Sequence, residues 1–101
     1  MEFEQSTSTI AVSVTMRLPS EGGRSNPVSL SGTYRPHLRI RGDEKYLGVA
    51  FVGANDDFIL PGVLTSVAIR PLYDIDYRGL IPGVEFDVLE GNRVVGIGVV
   101  D

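Results

Sequence analysis

The chain of 101 residues has no cysteine and no tryptophan, and His37 is its only histidine. Without thiols there is neither a disulfide nor a thiolate metal site, which fits a cytoplasmic setting. One histidine, and serines without an evident base and orienting partner, leave no nucleophilic triad to assemble, so the chain is not expected to be an enzyme. Asp56-Asp57 and Asp74-Ile75-Asp76 lack the spacing of a calcium loop and read as turn carboxylates, so neither metal nor cofactor is expected. No apolar run approaches the ~18 residues of a membrane span. The start, Met1-Glu2-Phe3-Glu4-Gln5-Ser6, carries acid where a signal peptide needs an apolar stretch. No Gly-x-x-x-x-Gly-Lys-Ser/Thr occurs, which excludes nucleotide binding by a P-loop. Cations are also in deficit, 9 Lys and Arg against 13 Asp and Glu, a net −4. Such a chain repels phosphate as a whole and needs a local basic face to hold a nucleic acid.

Helical periodicity is nearly missing too, and what replaces it is alternation. Ile10, Val12, Val14, Met16 and Leu18 alternate with Ala11, Ser13, Thr15 and Arg17, predicting a long half-buried strand. Residues 19 to 32, rich in Gly, Ser, Pro and Asn, read as a connecting loop. Leu38 and Ile40 point inward on a second strand, with His37, Arg39 and Arg41 outward, and Arg41-Gly42-Asp43 turns the chain. Leu47 to Val52 is a third strand, apolar on both faces. Asn55-Asp56-Asp57 starts a turn, and Pro61-Gly62 leads into a fourth strand, Val63 to Arg70, that Pro71 ends. Tyr73 to Gly83 is a polar crossover broken by Gly79, Pro82 and Gly83.

The last two strands frame Gly91-Asn92, which suits a two-residue type II′ hairpin loop because glycine supplies the positive φ of its first position. Glu90 then faces Arg93, an opposite-charge pair worth ~0.2–1 kcal/mol. Continuing outward sets Val88 against Val95, Phe86 against Ile97 and Val84 against Val99, all inward. Six short strands with Gly/Pro turns predict an all-β fold, a six-stranded antiparallel barrel of Greek-key type. It occupies residues 9–101 after an N-terminal segment, 1–8.

Three motifs stand in fixed order: Glu21-Gly22-Gly23-Arg24, Tyr34-Arg35-Pro36 and Glu90-Gly91-Asn92-Arg93-Val94-Val95-Gly96-Ile97-Gly98-Val99-Val100. Together they resemble the C-terminal β-barrel domain (domain 3) of translation elongation factor Tu over residues 9 to 100. Three departures stand out. Leu89 takes the place of an arginine before Glu90, and Ser25-Asn26-Pro27-Val28 follows Arg24 where the family has His-Thr-Pro-Phe. The chain also ends at Asp101, where the family's last strand continues, so an excised part of a larger translation-factor-like protein is one expectation. The resemblance implies a docking domain without its GTPase partner. It also implies contacts to the T-stem of tRNA at His37, Tyr46 and Glu90, where His37 replaces a glutamine and Tyr46 a threonine.

Two surfaces follow as candidates. Leu89 and Val94, paired outward beside the hairpin loop, are the expected protein-binding residues, and a non-catalytic module with a protein partner is the leading expectation. RNA binding is the alternative. Arg35, Arg39 and Arg41, with His37, project from one strand face about 7 Å apart, near phosphate spacing. Tyr46 and Glu90 complete that RNA set. Glu21, Gly22, Gly23 and Arg24 are read as loop-structural, with the arginine locked to a carboxylate; the alternative is an anion held by the free glycine amides. Gly96-Ile97-Gly98 has no following helix and is not a dinucleotide fingerprint; its glycines leave one strand face bare for a close approach.

Overall fold

The computed structural model describes residues 8–53 and 57–101. Six strands form a closed barrel: β1 (Ile10–Met16), β3 (His37–Ile40), β4 (Leu47–Val52), β6 (Thr65–Pro71), β7 (Glu85–Glu90) and β8 (Arg93–Val100). Around the barrel the order is β1, β6, β4, β3, β7, β8 and back to β1, antiparallel at every step. β3, β4 and β6 follow one another as neighbours and β7 returns to lie beside β3, which is Greek-key order. Closure leaves the barrel no unpaired edge. No helix among the described residues is long and apolar enough to cross a membrane.

The alternation in β1 is real but ends earlier than its pattern predicts. Val12, Val14 and Met16 are buried, whereas Leu18 is 41% exposed. Pro19 follows and starts a single 3-10 turn, Pro19–Glu21, which carries Leu18 off the sheet. Arg17 still donates its N–H to the Val95 carbonyl at 2.8 Å, so pairing stops within one residue of Leu18. The loop from 19 to 32 also holds a strand that its composition hides. There β2 (Val28–Ser29) pairs with β5 (Phe58–Ile59), closing Val28, Leu30 and Ile59 onto the same core as the barrel. Asn55 and Asp56, expected to begin the next turn, lie outside the described residues.

β6 starts at Thr65, two residues later than expected, and Pro71 is its last residue, opposite Val49. Beyond it the crossover is tied to β4 by one side chain. The Tyr77 hydroxyl donates to the Gly48 carbonyl at 2.6 Å and accepts from the Tyr73 N–H at 3.2 Å. The Tyr73 ring lies where a Cβ on Gly48 would be, so a larger residue there would have to displace that ring.

The final hairpin forms as predicted at its tip. Gly91 has φ of 65°, Glu90 faces Arg93 and Leu89 faces Val94. Beyond that pair the register departs from the expectation. A β-bulge at Val95 shifts it by one, so Val88 faces Gly96, Phe86 faces Gly98 and Asp87 faces Ile97. The interior of a six-stranded barrel is narrow, and large residues must face small ones. Phe51 and Phe86 are both fully buried, and a Cβ on Gly98 would stand 2.5 Å from Phe86 Cζ. Ile97 in that position would overfill the core. The bulge leaves Val95 inward as expected, gives the Phe86 ring the space at Gly98, and sends Ile97 outside.

Candidate functional site

The three sequence motifs meet at one corner of the barrel. The Tyr34 hydroxyl donates to Glu90 Oε2 at 2.6 Å, and the Arg24 guanidinium lies over the Tyr34 ring at 4.8 Å. Arg24 Nε is 3.4 Å from the same carboxylate oxygen, near enough for charge attraction although not aligned as a hydrogen bond. Arg93 approaches Glu90 Oε1 from across the hairpin at 3.6 Å. The Tyr34 ring packs edge-on against Phe51, centroids 5.3 Å apart, which ties the cluster to the core. Burial, followed by the hydrogen bond and the negative charge of Glu90, raises the Tyr34 hydroxyl well above the ordinary tyrosine range, with Arg24 opposing.

The arginine of the first motif thus sits over the Tyr34 ring and beside the Glu90 carboxylate, within reach of charge attraction but without a hydrogen bond to it. Glu21 accepts the Leu18 N–H at 3.3 Å, and the Gly22 and Gly23 amides donate to the Pro19 and Leu18 carbonyls at 3.2 and 3.0 Å. Those amides are consumed by the turn, so the anion-holding alternative has no free donors at Gly22 and Gly23. Gly22 has φ of 92°, and a Cβ on Gly23 would overlap the Arg17 carbonyl.

Arg39 and Arg41 do share an outer strand face with His37, but β7 lies alongside it and carries Glu85 and Asp87. Arg41 bonds Glu85 at 2.9 Å and lies 3.6 Å from Asp87, while Arg39 lies 3.6 Å from Asp87. Two cations therefore face two anions. Tyr46 joins this face, its ring 5.7 Å from that of His37 and 5.8 Å from the Arg39 guanidinium. Arg35 is exposed just ahead of β3. Glu90, the last of the RNA set, is not among them; it belongs to the Tyr34 corner. The turn at Gly42 closes with the Asp43 N–H donating to the Ile40 carbonyl at 2.9 Å. Asp43 accepts the Glu44 and Lys45 N–H groups, which hold its carboxyl below the usual range.

The protein-binding pair needs correction. Leu89 is paired with Val94 as expected, yet it is 0% exposed, and Val94 is half-buried. A side chain with no exposed surface cannot meet a partner without the fold opening. The bare strand face at Gly96 and Gly98 also looks the other way: it is filled from inside by Met16 and Phe86.

An apolar outer surface lies elsewhere. Two adjoining depressions, of about 740 and 250 Å³, run along the outside of β1 and β8 and share Thr15 and Ile97. Leu18 lines the first and Leu64 the second. Leu64 is 70% exposed and Ile97 44%. The turn after β5 is pinned there by the Gly62 N–H, which donates to the Met16 carbonyl at 2.8 Å. Arg17 and Glu21 bound one end, Arg41 and Glu85 the other.

These are the residues that sequence reasoning missed. The outward position of Leu64 follows from the alternation of Val67 and Ile69, both buried, and was open to detection. Ile97 was hidden by the bulge. Among the described residues no three His, Cys, Asp or Glu side chains gather in a metal-binding arrangement. Asp76 is a turn carboxylate: it accepts the Arg78 N–H at 2.9 Å and two guanidinium contacts at 3.0 and 3.2 Å, which lower its carboxyl to about 2. The sequence matches no protein-family model.

Proposed function

We propose that the chain is a non-catalytic interaction module that binds a protein partner through the outer face of β1 and β8. The observation that carries this reading is the exposed apolar trio Leu18, Leu64 and Ile97, gathered on two adjoining depressions of a small acidic domain. Scattered exposed apolar residues are ordinary; a contiguous set with a charged rim has the anatomy of a contact surface. Kinship with domain 3 of elongation factor Tu belongs to the same proposal. It is supported by the meeting of Arg24, Tyr34, Glu90 and Arg93, drawn from three separate motifs, around one carboxylate that accepts a hydrogen bond from Tyr34 and lies at ion-pair distance from both arginines. A translation-related, regulatory or immunity role in the cytoplasm is the corresponding biological setting.

RNA binding is the second reading, favoured by the stack of His37, Tyr46 and Arg39. It is the weaker one, because Glu85 and Asp87 offset Arg39 and Arg41 at hydrogen-bond to ion-pair distances. Capture from native lysate, at low and high salt and with or without nuclease, separates the two. The protein reading predicts salt-resistant, nuclease-resistant capture that Leu64→Ser with Ile97→Ser abolishes. RNA retention instead falls with a log–log salt slope of roughly −0.7 to −0.9 per phosphate neutralised and survives that double change.

A further inference from the structure

We propose that the outer face of β4 carries a site for a phosphate monoester, held between Arg35 and Arg70. Val49 and Phe51 belong to the core, so Ala50 between them points outward. Arg70 on β6 is its register partner on one side. On the other side the Phe51 N–H donates to the Tyr34 carbonyl at 3.0 Å and the Val49 N–H to the Pro36 carbonyl at 3.1 Å. These bonds continue the β3–β4 register, His37 with Gly48, and set Arg35 opposite Ala50. Two arginines therefore flank one alanine. Neither has a carboxylate of the described residues at ion-pair distance, whereas Arg24, Arg39, Arg41, Arg78 and Arg93 all do.

The Arg70 side chain crosses β4, bringing Nη2 to 3.7 Å from where a Cβ on Gly32 would be. Its stem lies over Ala50, which is 0% exposed, so the guanidinium is positioned before any ligand arrives. Gly32 separates Ser31 from Thr33, both exposed. Ser29 Oγ donates to Ser31 Oγ at 2.9 Å, and the Ser31 and Thr33 oxygens share a further bond at 3.1 Å. Three hydroxyl protons and two such bonds leave one proton, on Ser31 or Thr33, without an acceptor among the described residues. The unsatisfied groups are thus all donors: two guanidinium forks and a hydroxyl. A carboxylate spends both oxygens on a single fork. A phosphate monoester has three and carries nearly two negative charges at neutral pH, which matches two arginines and leaves an oxygen for the hydroxyl. A nucleic-acid strand suits the site less well, because the net charge of −4 repels its neighbouring phosphates. The site lies on β4 and β6, apart from the β1–β8 face, so the two readings stand or fall separately.

The test is a titration of the isotope-labelled chain at constant ionic strength and about pH 7.5, where a phosphate monoester is mostly dianionic. The probes are inorganic phosphate, O-phosphoserine, dimethyl phosphate and acetate. Saturable shifts are expected at the Gly32 and Thr33 amides and at the Nε–H groups of Arg35 and Arg70. The dissociation constant for inorganic phosphate should be roughly 1–10 mM, with acetate and dimethyl phosphate at least ~10-fold weaker. Arg70→Gln should weaken phosphate binding at least ~10-fold, and so should Arg35→Lys, which keeps the charge at an exposed position but loses the fork. Leu64→Ser with Ile97→Ser should leave it unchanged. Shifts that never saturate, or that persist in both arginine variants, mean an adventitious ion only and overturn the proposal. Dimethyl phosphate binding as tightly as O-phosphoserine overturns it as well, in favour of a phosphodiester ligand.

Discussion

Substituting Gly98 by alanine distinguishes the bulged hairpin from the regular one by the sign of its effect. In the bulged register Gly98 faces the core, where a new Cβ stands 2.5 and 2.6 Å from Phe86 Cζ and Cε1 and 2.8 Å from the Ser13 carbonyl oxygen. The ring is fully buried and the carbonyl belongs to the neighbouring strand, so neither yields freely. Overpacking of this kind costs about 1–3 kcal/mol. In a domain of this size each kcal/mol lowers Tm by ~4–8 °C, so a drop on the order of 10 °C is expected. In the regular register Gly98 would face solvent, and alanine there would stabilise the strand by roughly 0.5–1 kcal/mol. Thermal and urea unfolding monitored by circular dichroism measure the difference. Phe86→Leu in the Gly98→Ala background should recover part of the loss, because the shorter side chain vacates the contested space. A Gly98→Ala protein as stable as the original, or more so, refutes the bulge and with it the outward position of Ile97.

Further consequences can be measured in the same way. Tyr34→Phe removes a hydrogen bond to a carboxylate and should cost about 1.5–3 kcal/mol in urea unfolding. Because folding raises the Tyr34 hydroxyl above its ordinary 10.0, its stabilising contribution is complete below pH 10.0 and is lost as pH rises beyond it. Unfolding curves across that alkaline range should therefore show a loss that Tyr34→Phe lacks. Asp76 should titrate near 2 by carboxyl NMR and return towards 3.8 in Arg78→Ala. Its folded value is depressed, so any stability it confers is present above 3.8 and disappears as pH falls towards 2. Leu89→Ser should destabilise by roughly 2–5 kcal/mol, as buried leucine truncations do, making it a folding variant and not a binding variant.

Much of this architecture is legible in the residues because the side-chain period of a strand is strict. Val12, Val14 and Met16 on one side of β1, and the two-sided apolar run of β4, follow from composition alone. The tip of the last hairpin is legible for a local reason, the positive φ at Gly91. Where the reading failed, the deciding force was not local. Nothing in Val94-Val95-Gly96 announces a bulge; the interior volume available to Phe86 decides it, and that volume is set by strands distant in the chain. The same holds for β2, whose two residues form a strand only because β5 comes alongside.

The contact surface was misplaced for a related reason. Leu89 alternates outward correctly, but outward did not mean exposed, and Ile97 was counted inside. The arginine face shows the complementary difficulty. Spacing along β3 aligns Arg39 and Arg41, while the acids that offset them sit on β7, more than forty residues later in the chain.

The most direct test follows backbone amide shifts as a captured partner is titrated onto the isotope-labelled chain. The account predicts that the largest changes fall at Thr15, Leu18, Leu64 and Ile97, with His37, Arg39 and Tyr46 nearly unmoved. Changes centred on His37 to Tyr46, with β8 undisturbed, would contradict it.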